Sequence, residues 1–288
     1  MILLYSMKLA DLHVHSNFSD GSDTVETLAK NIKKANINIF ALTDHDTIYG
    51  CDKIKNLITD DILFIPSIEL TSKIETVKCH ILGYNCDSQN KALNDLITKG
   101  KKLRKLKRER RIEFLKKEWG IELTQEELEW LNSIRSVTKT HFGIILVKRG
   151  LAENNLKAMD KYFAGCSIPN SKFDGYESID AINKSGGIPV WAHPLGGEGE
   201  AHSTPEKFYK DFEIVKKAGI KGLECYYSRY NSDEIEFLVN FANQNNLLIS
   251  GGSDYHGANK QNIALGKLNQ GNQPIDADKL TILKEIIQ

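Results

Sequence analysis

Short apolar runs alternate with stretches of helical periodicity along most of the chain, a pattern that predicts repeated βαβ units. The strand-like runs are Lys8–Val14, Ile37–Leu42, Ile62–Pro66, Val77–Tyr84, Ile188–Ala192, Gly222–Tyr226 and Leu247–Ser250, with a weaker eighth run at Ile263–Leu268. Helical spacing fills Thr24–Ala35, Ile48–Ile58, Pro205–Ala218, Ser232–Asn245 and Asp278–Ile287. Between about Asn90 and Gly186 the alternation stops and no strand is predicted. Helices are expected there at Leu93–Trp119, Gln125–Leu131, His141–Arg149, Leu156–Phe163 and Tyr176–Lys184, with Gly120, Gly150 and Gly165 as stop signals. The expected division is a first barrel segment over 1–89, a helical insertion or lid over 90–172, and a second barrel segment over 173–288.

Composition narrows the class. At 288 residues, with 41% hydrophobic and 26% charged positions, the chain has the balance of a globular protein. No apolar run approaches the roughly 20 residues needed to span a bilayer. The opening Met1-Ile-Leu-Leu-Tyr-Ser6 is too short for the apolar region of a signal peptide, and Met7 is a plausible alternative start. The five cysteines (51, 79, 86, 166 and 225) form no CxxC pair, so reduced thiols and a cytoplasmic location are expected. Net charge is zero but segregated. From Lys99 to Lys117, eleven Lys and Arg face only Glu109 and Glu113, a local balance of +9. Such a run reads either as a solvated helix face above a stripe of Leu103, Leu106, Phe114 and Trp119, or as a basic wall that guides a phosphate-rich substrate. Interleaved aromatics are too sparse for a long single-strand platform.

The chemistry lies in the histidines. Six of the eight follow or close a strand-like run: His13 and His15 in Asp11-Leu-His-Val-His-Ser16, His45 in Thr43-Asp-His-Asp46, His80, His193 in Trp191-Ala-His-Pro194, and His256 in Gly252-Ser-Asp-Tyr-His-Gly257. In a parallel β/α barrel the C-terminal strand ends converge on one mouth. Residues at i and i+2 of a strand share a face, so His13 with His15, and Asp254 with His256, can each grip one ion. Glu69 and Asp20 bring the inward set to six imidazoles and three carboxylates. First-row divalent ions take four to six ligands, and this donor set suits Zn, Mn or Fe. Nine donors therefore imply two or three ions sharing bridging carboxylates. Asp11 and Asp44 stand beside the ligands and are expected to orient imidazoles. His202 sits in a Gly- and Glu-rich loop and is assigned no role.

The motifs Asp-Leu-His-Val-His-Ser (11–16), Ser-Asp-Gly (19–21), Thr-Asp-His-Asp (43–46), Ala-His-Pro (192–194) and Gly-Ser-Asp-Tyr-His (252–256) run nearly the whole chain. In this order the sequence resembles the polymerase and histidinol phosphatase (PHP) superfamily of metal-dependent phosphoesterases. The resemblance implies a distorted (β/α)7 TIM-like barrel with a helical insertion and a trinuclear site. It implies His13, His15, Glu69 and Asp254 around one ion, Asp20, His45 and His256 around a second, and Glu69 with His80 and His193 around a third.

The stretch from Lys139 to Gly150 is similar to the Arg-Pro-His-Phe segment of one branch, which includes 3′,5′-nucleoside bisphosphate phosphatases and 5′-to-3′ trimming exoribonucleases. His141 matches, and is expected to bind phosphate or protonate the leaving oxygen. Lys139 replaces the arginine and Thr140 the proline. Lysine keeps the charge but loses the bidentate fork, so Arg135 is a further candidate for phosphate contact. The expected reaction is hydrolysis of a small nucleotide phosphomonoester by water whose pKa divalent ions have lowered. The expected partner is a small phosphorylated nucleotide, with short RNA as a second possibility and no membrane. Rival readings are a histidinol-phosphate phosphatase, an exonuclease on short RNA, and a non-catalytic metal-binding module.

Overall fold

A computed structural model describes residues 7–197, 201–268 and 272–287. The opening hexapeptide therefore lies outside the described residues. Through the first half of the chain the elements are β1 (Ala10–Val14), α1 (Val25–Lys34), β2 (Ile39–Leu42), α2 (Tyr49–Lys55), β3 (Leu63–Pro66), β4 (Ile68–Ile74) and β5 (Val77–Tyr84). Four helices follow: α3 (Lys91–Trp119), α4 (Gln125–Ser133), α5 (Lys139–Lys148) and α6 (Asn155–Tyr162). Strand and helix then alternate again through β6 (Phe173–Asp174), α7 (Gly175–Lys184), β7 (Ile188–Trp191), α8 (Pro205–Lys217), β8 (Gly222–Tyr227), α9 (Ser232–Gln244) and β9 (Leu248–Gly252). A small ladder of β10 (Lys267–Leu268) with β11 (Gln273–Pro274) and a short α10 (Ile282–Ile286) complete the described chain. No described helix is long and apolar enough to cross a membrane.

The local signals act as their chemistry requires. Thr24 caps α1 by accepting from the Thr27 amide, and Val25, Leu28, Ala29 and Ile32 form its buried stripe. Asn90 caps α3 through two amides, and Gly120 ends it in the left-handed region at φ 64°. The fold is α/β, with parallel pairs β1–β2, β2–β3, β4–β6, β7–β8 and β8–β9. They belong to a three-stranded sheet, β1-β2-β3, and a six-stranded sheet, β6-β4-β5-β7-β8-β9. The sheets meet at two isolated parallel bridges, Val14 with Tyr255 and His45 with Glu69.

Several elements differ from the sequence reading. β4 was not expected, because Glu69, Thr71 and Ser72 interrupt its apolar pattern, yet all three are buried. It pairs with β5 in antiparallel register from Ile68–Gly83 to Ile74–Val77, and β5 pairs antiparallel with β7, so the strands are not uniformly parallel. Glu75 supplies the left-handed residue of the two-residue β4–β5 turn, at φ 51°. The short β6 falls inside the stretch read as strand-free. The eighth run supplies only β10, which pairs with β11 outside the two larger sheets. α10 is half the expected helix, preceded by a 3-10 turn at Ala277–Lys279.

The main apolar core joins both sheets to their helices and takes in Leu93, Leu96 and Ile97 at the start of α3. A separate apolar cluster of Leu115, Leu131, Val137, Phe142, Ile145, Leu146, Ala158, Tyr162 and Phe163 holds the helical segment together. Of the expected stripe on α3, Leu103, Leu106 and Phe114 are partly buried, but the stripe is incomplete. Trp119 is 43% exposed, whereas Arg104 and Lys107 are buried with Leu115.

Gly252 fixes the closest approach of β9 to β1. A Cβ there would lie 2.3 Å from the His13 Cβ and backbone nitrogen. Gly252→Ala should therefore force the strands apart, lowering stability by about 1–3 kcal/mol. Urea unfolding midpoints measure this, and an unchanged midpoint would mean the two strands separate there without cost.

Candidate metal centre

Six imidazoles and three carboxylates gather where strands of both sheets end. His13 lies in β1, and His15 just beyond it; their Nε2 atoms are 3.1 Å apart. Glu69 is the hub. Its Oε2 lies 3.4 Å from His13 Nε2, 3.3 Å from His15 Nε2 and 2.9 Å from His45 Nδ1. Its Oε1 lies 2.8 Å from His80 Nδ1 and 3.2 Å from His193 Nε2. Asp254 Oδ1 stands 3.5 Å from His13 Nε2, 3.3 Å from His15 Nε2 and 3.4 Å from His256 Nδ1. Asp20 Oδ1 stands 3.2 Å from His256 Nε2, and its Oδ2 3.9 Å from His45 Nε2.

Among the described residues three donor groups result, each with ligand atoms within 4.8 Å of one another: His13, His15 and Asp254; His15, Asp20, His45 and His256; and His45, Glu69 and His80. The grouping differs in detail from that implied by the resemblance. His15 also reaches the second group, and His45 the third, while His193 touches Glu69 from outside the third.

The buried atoms Asp20 Oδ1, His45 Nδ1 and Glu69 Oε2 have no hydrogen-bond partner although other donor atoms lie close. Buried polar atoms are normally satisfied. Close donors that do not bond one another suit a cation between them, so these residues fit divalent ions.

The field of the cluster agrees. Burial alone would raise the three carboxyls, but the surrounding charges hold each well below its usual range. These are His45 and His256 at Asp20, His45 and His80 at Glu69, and Lys260 and His256 at Asp254. Burial lowers His80 to about 4, against the pull of Glu69. The side chains of His45, His80 and His193 are 13%, 24% and 10% exposed, whereas those of His13 and His15 are wholly covered. The cluster therefore opens on the side of His45, His80 and His193.

Backbone geometry aims several donors. After β2, β7 and β9, Asp46, His193 and Asp254 take left-handed conformations at φ 54°, 30° and 59°, uncommon for side-chain-bearing residues.

Among the described residues neither Asp11 nor Asp44 accepts directly from an imidazole; Asp44 meets His15 through the Ser19 hydroxyl, which donates to Asp44 at 2.6 Å and lies 3.5 Å from His15 Nδ1. Asp11 accepts from the Ser253 amide and hydroxyl and the Gly266 amide, clamping β1 to the turn after β9. Asp44 accepts from the Ser16 amide and from the hydroxyls of Ser16 and Ser19, shaping the loop that carries Asp20. Burial raises both carboxyls to about 6.

The orienting acid is Glu224, absent from the sequence reading. It is fully buried in β8, its Oε1 lies 2.8 Å from His13 Nδ1, and its Oε2 accepts from the His193 amide at 2.7 Å. An acid inside the apolar run Gly222-Leu-Glu-Cys-Tyr-Tyr227 was the available signal. Tyr227 and Lys260 likewise donate to Asp254 Oδ2, at 2.8 and 2.6 Å.

The helical segment meets the cluster through polar contacts. Thr140 donates to Asp20 Oδ2 at 3.3 Å, and Ser136 to the His45 carbonyl at 2.7 Å. His141 is buried. Its Nδ1 accepts from the Thr138 amide at 3.0 Å, the ring hydrogen-bonds the Ser19 backbone, and burial lowers it to about 4. Thus Thr140 reaches a cluster residue directly.

Arg135 is exposed. Its guanidinium lies over Phe18 and Tyr49, at 5.5 and 5.2 Å, beside a 290 Å³ cavity also lined by Tyr49, Lys101 and Arg104. Lys139 is exposed in the first turn of α5. His202 pairs with Glu234 at 2.6 Å, outside the donor groups.

Glu224→Gln tests the orienting role. Only a carboxylate accepts from both His13 and the His193 amide, because an amide side chain turns one acceptor into a donor. Metal retention should weaken about 10–100-fold in chelator competition while the circular dichroism spectrum stays unchanged. Undiminished affinity would remove Glu224 from the metal centre.

The comparisons with known proteins agree with this geometry. A family profile described as the PHP domain matches residues 11–182. A 5′-3′ exoribonuclease of Haemophilus influenzae is 29% identical over 254 residues, covering 86% of this chain and 90% of that protein. A 3′,5′-nucleoside bisphosphate phosphatase of Chromobacterium violaceum is 25% identical over 251 residues, covering 85% of this chain and 86% of that protein. The solved structure of an amidohydrolase from Chromobacterium violaceum, with bound sulfate and no metal, superposes with a TM-score of 0.82 at 21% identity. That alignment covers 96% of this chain and 95% of the other, and shows a shared fold. With the matched segment carrying six of the nine donors, the chain belongs to the PHP domain family of metal-dependent phosphoesterases.

Proposed function

We propose that the protein hydrolyses a phosphomonoester of a small nucleotide, converting a 3′,5′-nucleoside bisphosphate to the 5′-monophosphate. The observation that carries this is the nine-donor cluster with its partnerless buried atoms, beside exposed Arg135 and Lys139. The similarity to a bisphosphate phosphatase supports the substrate class. The similarity to 5′-3′ exoribonucleases supports a second reading, action on short RNA.

The architecture we infer is a distorted (β/α)7 barrel over 1–89 and 173–288, with 90–172 inserted. The two bridges between the sheets and the separate apolar cluster of the helical segment support it.

His13, His15, Asp20, His45, Glu69, His80, His193, Asp254 and His256 would hold two or three divalent ions, with Mn, Fe and Zn all suited to imidazole and carboxylate. Such ions would polarise phosphate oxygens and lower the pKa of water. His45, His80 and His193 border the open side, so the reacting phosphate arrives there. Arg135, beside the 290 Å³ cavity, and Lys139 supply positive charge for the rest of the substrate.

His141 we place as a positioning residue. Its ring ties the helical segment to the Ser19 backbone, and so to the loop that carries Asp20. Its low pKa leaves it neutral at pH 7, a poor proton source. His141→Ala should lower kcat. His141→Asn, which keeps a donor and an acceptor, should recover most of that loss. An asparagine variant as slow as the alanine variant would return the proton-donor role to His141.

A second phosphate on Arg135 or Lys139 adds binding remote from the reacting bond. A single charge-assisted contact contributes roughly 1.5–3 kcal/mol, so a 3′,5′-bisphosphate should exceed the 5′-monophosphate in kcat/KM by about tenfold to a hundredfold. The advantage should shrink at high salt, because both side chains are exposed. Chelation, or His13→Ala, should abolish turnover of both substrates, and His202→Ala should change neither. Equal efficiency on the two nucleotides, or a preference for histidinol phosphate, would overturn the substrate assignment.

A further inference from the structure

The basic run on α3 splits into two faces. On the outer face Lys105 and Arg110 pair along the helix with Glu109 and Glu113, and Lys116 pairs with Glu122. These pairs are exposed and contribute little. The inner face carries Arg104, Lys107 and Arg111, spaced three and four residues apart and therefore in one row.

The three inner cations are not equivalent. Arg104 is satisfied: it donates to Asp46 Oδ2 at 2.6 Å, to Thr71 at 3.0 Å and to the Val137 carbonyl. Lys107 is 5% exposed, and the charges that act on it are those of Arg104, Asp46, Lys172 and Arg111. Arg111 is partly exposed at its rim, but its Nη1 is buried without a partner. Lys172, half-buried, adds positive field to Lys107 from the segment just before β6. Asp46 is the acid whose field reaches Lys107, and it is already committed to Arg104.

Cations brought together and partly out of water repel one another and lose hydration; the Phe142 ring under the Arg111 guanidinium, at 5.9 Å, and the field of Asp46 at Lys107 offset part of that cost, and a bound anion would offset more. Burial, with Arg104 and Lys172 adding to it, drives the Lys107 ammonium down to about 6. Burial and Arg104 together lower Arg111 to about 10. An anion beside Lys107 would restore its charge, and the partnerless Arg111 Nη1 would then donate to the same anion, an arrangement that suits a phosphate group.

We propose that Lys107 and Arg111, with Arg104 and Lys172 around them, form a phosphate-binding site separate from the nine-donor cluster. The site lies one to two helical turns along α3 from the Arg104–Asp46 pair. It deepens the reading of the protein as an enzyme of phosphorylated substrates. Its occupant is a non-reacting phosphate of a longer substrate, such as short RNA, or free inorganic phosphate.

Titration of the metal-loaded full chain with inorganic phosphate tests the site by calorimetry. Two classes of binding are expected. Chelation should remove one, and Lys107→Met the other. Arg111→Met should weaken the second class at least tenfold, and Lys105→Met, on the exposed face, should leave both classes intact. With the repulsion relieved, Lys107→Met should also melt at a higher temperature than the parent in phosphate-free buffer.

The source of the phosphate follows from kinetics. A fall in kcat/KM for a short 5′-phosphorylated RNA relative to a nucleoside bisphosphate in Lys107→Met assigns the site to substrate. An unmoved ratio, with the phosphate class lost, assigns it to free phosphate. The proposal is overturned if the chelated parent binds no phosphate, or if Lys107→Met and Arg111→Met bind it as the parent does. A chelator without effect would instead strike at the metal assignment and leave this site standing.

Discussion

One buried carboxylate sets the terms for the site. Glu69 is 1% exposed, and its two oxygens lie within 3.4 Å of five imidazole nitrogens. An ionised carboxylate in such a place is costly unless positive charge surrounds it. A divalent cation held by the neutral imidazoles would supply that charge. Glu69 also forms the bridge with His45 that joins the two sheets. The same residue therefore ties the fold together and centres the donor set, so a change there is felt in both.

The strand directions explain how one side chain reaches so many partners. If β4 ran as an ordinary parallel barrel strand, only its C-terminal end would meet the mouth. Instead β4 and β5 form an antiparallel hairpin, with Thr71 opposite His80 and Glu69 opposite Leu82. The hairpin brings His80 back beside Glu69 from the other direction. β7, also antiparallel to β5, then delivers His193. The left-handed conformations of Asp46, His193 and Asp254 complete the aim, and hydrogen bonds to Arg104, Glu224 and Tyr227 hold them. Strain of that kind persists where neighbours over-determine it.

What the sequence disclosed follows from this arrangement. His13, His15, His45, His193 and His256 were legible because each is a polar residue directly after an apolar strand-like run. Glu69 was legible as a donor, but its strand was not, because the polar residues that build the site broke the pattern used to find strands. Glu224 escaped notice because its partners, His13 and the His193 amide, are distant in sequence; only an acid inside an apolar run marked it. Asp11 and Asp44 were placed beside the site, but the backbone amides and serine hydroxyls they hold, including the Ser19 hydroxyl between Asp44 and His15, leave no trace in residue spacing. The charge of α3 was counted correctly as a run, while the three- and four-residue spacing of Arg104, Lys107 and Arg111, which assigns a face, was not read.

The joint between the helical segment and the site loops is a further consequence of where polar groups fall. The start of α3 packs into the main apolar core, while the rest of the helical segment has an apolar cluster of its own. Between them run Arg104 to Asp46, Ser136 to the His45 carbonyl, Thr140 to Asp20 and His141 to the Ser19 backbone. Asp46 and the His45 carbonyl adjoin or belong to a donor residue, Asp20 is itself a donor, and Ser19 precedes it. An apolar seam would hold the segment in place whatever the charge of the cluster. Here the polar contacts reach the charge of the cluster directly. Thr140 donates to Asp20 Oδ2, and Oδ1 of the same carboxylate, the oxygen without a hydrogen-bond partner, faces His256 Nε2 at 3.2 Å. One carboxylate thus has an oxygen for the helical segment and an oxygen for the donor set, so α5 steadies the loop that carries Asp20 while leaving a donor atom free for a cation.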